Sequence, residues 1–141
     1  MKLFHVSDIL SVTTGRLVSN RHIEGIYDIL NFMTDDNLFT HQLPRAQNEC
    51  QPWLLAQYPK LNEEALGSSL DLALAQADGR DLAGAVEAWV SRVACDFTGG
   101  VMELPVHALG EDMHAKMDPL RELEEMVGKD RVVVIKAEAA Q

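Results

Sequence analysis

The residues best equipped for chemistry in this 141-residue sequence stand close together at positions 33–46, MTDDNLFTHQLPRA. Asn37, Thr40, His41, Gln42 and Arg45 supply donors suited to a carboxylate, a phosphate or the edge of a nucleobase. Arg45 can grip an oxyanion through two parallel N–H groups. Thr13, Thr14, Gly15 and Arg16 form a second set of the same kind. If the two helix ends meet, Arg16 and Arg45 make a local positive pocket in an acidic protein. A second reading gives these side chains to helix caps and to the backbone of a long loop, as Thr, Asn and Asp commonly do. Leu38 and Phe39 read as buried anchors of the segment.

Catalysis asks for more than donors. His41 near Asp36 could serve as a general base, because imidazole titrates near neutrality. No serine, cysteine or lysine stands at a known nucleophile spacing from it, so no catalytic residue is assigned. His107, Glu111, Asp112 and His114 are metal-binding types in one stretch. They follow no recognisable ligand spacing and read as a solvated loop, so no metal is expected. His5 and His22 read as structural. Neither a dinucleotide-binding glycine fingerprint nor a phosphate-loop Gly-Lys-Ser/Thr sequence occurs, and no cofactor is expected.

Something must position these groups, and the hydrophobic pattern says what. Residues 2–6 form a short strand. A two-turn helix then begins at Asp8, capped by Ser7 and closed by Gly15. Ile23, Ile26, Tyr27, Leu30 and Met33 keep the three-four spacing of one buried helix face over residues 21–33. Pro44, Pro52 and Pro59 punctuate the next stretch, so short helices are expected over residues 43–50 and 52–57. Asn62 opens a further helix that Gly67-Ser68-Ser69 can split in two. Asp78-Gly79-Arg80 is a turn. Asp81 caps the strongest helix, residues 82–97, with Leu82, Val86, Trp89, Val90, Val93 and Phe97 as its apolar stripe.

The period then changes. Residues 101–109 alternate as a strand, and Pro105 restricts it to an edge or a bulge. Asp118-Pro119 starts a helix with Leu120, Leu123, Met126 and Val127 inward, and Gly128 ends it. Residues 131–136, RVVVIK, are the most strand-like run, and residues 137–141 read as a frayed tail. The expectation is one α+β domain over residues 1–141, mainly helical. Its small three-stranded sheet comes from the N-terminal strand and a C-terminal strand–helix–strand unit. Parallel and antiparallel pairing both remain open.

Composition narrows the partners. Lys and Arg total 12 against 22 Asp and Glu, a net charge of −10. Repulsion argues against direct binding of nucleic acid or an anionic membrane and favours a basic protein surface. Glu122, Glu124 and Glu125 read as a solvated face and are the candidate protein-binding residues. Cys50 and Cys95 read as reduced, core-packed thiols. With no signal peptide and no membrane-length apolar run, a soluble intracellular protein is expected. The oligomeric state is left open.

Four pieces carry a resemblance: DILSVTTGRLVS (8–19), YDILNFMTDDNLFTHQLPRA (27–46), PWLLAQYP (52–59) and DPLRELEEMVGKDRVVVI (118–135). Together they are similar to a family of small bacteriophage and prophage proteins, a domain of unknown function. Its members often carry glycine where this chain has Asp35. The resemblance implies a phage gene product in the bacterial cytoplasm and supplies no catalytic residues. Three readings are open. One is a non-catalytic accessory protein, an anti-defence inhibitor binding a host nucleic-acid-handling or defence protein through its acidic surface. Another is a binder of a small anionic ligand, such as a signalling nucleotide, at Arg16, Asn37, Thr40, His41, Gln42 and Arg45. The third is a small enzyme using His41 as general base.

Overall fold

The computed structural model describes residues 1–77, 79–110, 113–114 and 116–127, the side chains of Glu63, Glu64, Ala65 and Val127 excepted. The described chain is mainly helical with a small two-stranded antiparallel sheet. In order it runs β1 (Lys2–His5), α1 (Val6–Thr14), α2 (Ile23–Thr34), α3 (Leu43–Gln57), α4 (Glu63–Ala77), α5 (Leu82–Thr98), β2 (Glu103–Val106) and α6 (Pro119–Val127). Short 3-10 turns at Thr40–Gln42 and Pro59–Leu61 lead into and out of α3.

The sheet pairs Lys2 with Val106, Leu3 with Pro105, Phe4 with Leu104 and His5 with Glu103. Among the described residues it has two strands rather than the expected three. The stretch expected to supply the third, residues 131–136, lies outside the described residues, as do Gly128 and the tail at 137–141. Pro105 is tolerated because β2 has no further described partner to miss its N–H.

α1 starts two residues earlier than the cap pattern suggests. His5, not Ser7, is the N-cap: its Nδ1 accepts the Ser7 N–H at 3.1 Å. Gly15 closes the helix at φ 71°, as its type predicts. Asp35 ends α2 in the same left-handed region, at φ 50° and ψ 47°, where glycine is the unstrained choice.

The two short helices expected around Pro52 are one continuous helix, α3, with Pro52 inside it. Proline deprives the carbonyl four residues earlier, that of Asn48, of its donor. Both residues are exposed, so water can take the vacant place. α4 likewise runs unbroken through Gly67-Ser68-Ser69.

α5 keeps its Asp81 cap, whose Oδ1 accepts from Gly84 N at 3.1 Å. Its stripe is narrower than the periodicity suggests, since Trp89, Val90 and Val93 are buried while Leu82 and Phe97 at the ends are exposed. Ile9, Leu10, Ile29, Leu30, Met33, Ala46, Cys50, Leu54 and Trp89 meet in one core shared by α1 to α5. No described helix is long and apolar enough to cross a membrane.

Candidate functional site

The polar segment between α2 and α3 is bonded to the chain along most of its length. Asp36 N donates to Asn31 O, Leu38 N to Asn31 Oδ1 at 2.9 Å, and Leu38 is buried. Gln42 Oε1 accepts from Phe39 N at 2.9 Å, while Gln42 N returns a bond to Phe39 O. Thr40 shares a hydrogen bond with the Tyr27 hydroxyl. Phe39, expected as a second buried anchor, is 41% exposed and meets the His41 ring in a T-shaped arrangement. Asn37 is exposed, and its N–H bonds the Asp36 carboxylate.

His41, Gln42 and Arg45 all reach toward α6. His41 Nε2 lies 2.7 Å from Pro119 O, where an N–H must donate to a carbonyl. Gln42 Nε2 donates to Glu122 Oε2 at 2.8 Å and to Met117 O at 3.3 Å. Arg45 meets Glu122 through Nε–Oε1 at 2.5 Å and Nη2–Oε2 at 3.3 Å, a two-point grip on a carboxylate of the same chain. Its Nη1 also reaches Glu49, one turn along α3.

Glu122 is therefore not part of a solvated acidic face. It is 5% exposed and turns inward with Leu123, while Met126, expected inside, is 58% exposed. The side chain of Val127 lies outside the described residues. The bond from Arg45 pulls the Glu122 carboxyl below its ordinary range; burial opposes this, and the Gln42 amide adds to the pull. The same bond to Glu122 raises Arg45. Glu124 is half-buried and Glu125 exposed.

Asp36 pairs with a different histidine from the one its sequence position suggests. His114, its side chain 4% exposed, places Nε2 at 2.8 Å from Asp36 Oδ2 and Nδ1 at 2.5 Å from Glu49 Oε1. An ionised carboxylate only accepts, so this ring is satisfied on both sides when both nitrogens carry hydrogen. Burial works against the charge on Asp36, but the bond from His114 and the Asn37 N–H hold its carboxyl below the usual value. The solvated loop expected around His114 is thus a clasp at that residue. Glu111 and Asp112 lie outside the described residues, and His107 is exposed.

Arg16 and Arg45 do not share a cavity. On α3, Pro44, Gln47 and Asn48 face a shallow groove of about 470 Å³ also lined by Arg16, Leu17, Ile23 and Thr40. Arg45 and Glu49 occupy another face of the same helix. Arg16 itself forks onto Asp71 of α4, with Nη2–Oδ2 at 3.2 Å. The positive pocket expected from the two arginines is absent among the described residues, because each guanidinium meets a carboxylate.

Residues 4–64 match the model of a domain of unknown function (DUF7736). The matched DUF7736 stretch spans β1 to the start of α4 and includes the whole polar segment. His114 and Glu122, which lock that segment in place, lie beyond it. No curated protein and no solved structure matches the chain.

A second buried charge was not singled out in the sequence. Asp8 is fully buried, bonded by the Ser19 hydroxyl and by Arg21 Nη2 at 2.8 Å, and Arg21 also reaches Asp28. The bond to Asp8, then that to Asp28, raises Arg21. Gly25 makes room for this pair: a Cβ there would lie 2.0 Å from Ser19 Oγ and 2.4 Å from Asp8 Oδ1. An acidic residue opening α1 looked only like a partner for the helix dipole. Its burial depends on α2 crossing it.

Proposed function

We propose that this chain is a non-catalytic accessory protein that binds a basic surface of a host protein stoichiometrically and blocks it. The observation that carries this reading is the internal matching of its arginines. Arg16, Arg21 and Arg45 each meet a carboxylate within the chain. Each such pair also cancels a carboxylate, so the surplus of 22 acidic over 12 basic residues stays uncompensated and the field of the chain is negative. Such a field repels phosphate and attracts the basic face of a protein that handles nucleic acid. The likeness to small bacteriophage and prophage proteins suggests a host defence protein as the target, met in the bacterial cytoplasm.

Affinity purification from a bacterial host across a salt series, with bound proteins identified by mass spectrometry, finds the candidate. The purified pair is then titrated in competition with DNA. Affinity should fall as salt rises, and Glu124→Gln/Glu125→Gln should weaken it without loss of fold. A partner whose affinity ignores both salt and these substitutions would sink the acidic-docking reading.

A further inference from the structure

Between the β1–α1 junction, residues 17–22 and α5 lies a cleft of about 390 Å³. It is separate from the clasp around His114 and adjoins the groove beside Arg16 at Leu17. Leu17, Val86, Val90 and Met102 give it apolar walls, and His22, Glu87 and Ser91 give it a polar side. Its volume falls within the range of sites for small molecules, and apolar walls with a few polar groups are the usual lining.

Two features set this cleft apart. The first is the backbone of His22, at φ 56° and ψ −136°, outside the regions open to residues other than glycine. The backbone there closes a turn, with His22 N donating to Ser19 O at 3.0 Å and Gly25 N to His22 O at 3.2 Å, but the side chain does not cap α2, and among the described residues the ring has no hydrogen-bonding partner. Strain of this kind, held by the surrounding structure, gathers at binding sites. The second is charge. Among the described residues, Glu87 is the acidic residue of the wall and no lysine or arginine lines it, in a protein whose overall field draws cations.

We propose that the cleft binds a small organic cation, an amine with an apolar body. The hydrocarbon part lies against Leu17, Val86, Val90 and Met102, the ammonium faces the Glu87 carboxylate, and the His22 ring borders the entrance. This site is independent of the acidic surface assigned to a protein partner, and either can fail without the other.

The test uses the full chain and three matched probes followed by calorimetry and NMR: phenethylamine, 2-phenylethanol and 3-phenylpropionate. The amine should bind about threefold to tenfold more tightly than the alcohol, the margin expected for one half-screened ion pair. The carboxylate should bind least. Glu87→Gln should erase the preference for the amine and leave the alcohol unchanged. Ser91→Trp, at an exposed α5 position on the wall, should fill the cleft and abolish binding of both, with an unaltered far-UV spectrum. His22→Gly should raise Tm by relieving the backbone while weakening the amine, a combination that a merely structural His22 would not give. Absence of amine binding at millimolar concentration would overturn the proposal. So would equal binding of amine and carboxylate, or a preference that survives Glu87→Gln.

Discussion

Arg45 grips Glu122 with two nitrogens across 77 residues of sequence, and through that contact α3 holds α6 in place. The pair is largely removed from water, with side-chain exposures of 27% and 7%. A pair in such surroundings is more costly to break than to replace.

Arg45→Met should therefore destabilise the chain by about 3 kcal/mol, because it leaves the Glu122 carboxylate buried with only the Gln42 amide. Arg45→Met/Glu122→Met should recover most of that loss. Urea unfolding of the two single variants and the double variant measures the coupling; simple additivity would show that the contact contributes nothing.

Acid should loosen the same region. Asp36 and Glu122 both have folded-state values below the ordinary carboxylate range. Their contribution is fully present above the unfolded-state value of about 4 and is lost as pH falls through the lower folded values. The urea midpoint should hold between about pH 7 and pH 5 and drop below about pH 4. Glu122→Gln should start lower and fall less steeply.

Gly25→Ala should cost about 1–3 kcal/mol despite the better helix propensity of alanine. The added methyl would collide with Ser19 and Asp8, which are 5% and 0% exposed and have nowhere to turn. Gly84→Ala, whose methyl would first meet the exposed Asp81 carboxyl, a side chain free to swing into solvent, should cost less. Thermal unfolding of both variants ranks them.

Asp35→Gly should raise Tm by about 3 °C, since glycine takes the left-handed C-cap without strain. The contact this substitution removes is weak: Lys116 Nζ lies 3.9 Å away and the Asp35 side chain is 99% exposed. A lower Tm would show that the aspartate supplies something beyond the turn.

The two thiols should react very differently. Cys50 is buried, and its thiol is pushed up to about 12, chiefly by burial, so it stays protonated and shielded at neutral pH. Cys95, expected to be core-packed, is exposed on α5. A maleimide should modify Cys95 alone in the native protein and both cysteines in urea, as read by intact mass.

By itself the sequence determined the local elements. The three-four spacing from Ile23 to Met33, the Asp81 cap, the Asp118-Pro119 start and the closing Gly15 are interactions among near neighbours, and they need nothing distant to be legible. Where local rules failed, tertiary packing had overruled them. Pro52 sits inside a helix where it and Asn48, whose carbonyl it leaves without a donor, are both exposed residues, and α6 turns a glutamate inward because Arg45 waits there. Tertiary structure alone decided the meaning of the polar segment. Donors such as Arg45, Gln42 and His41 look identical whether they await a ligand or serve the chain. Only the arrival of Glu122, Pro119 and His114 from some 75 residues away shows which. Long-range partners leave no periodicity in the sequence, and for that reason the segment that looked most like an active site is where the chain binds itself.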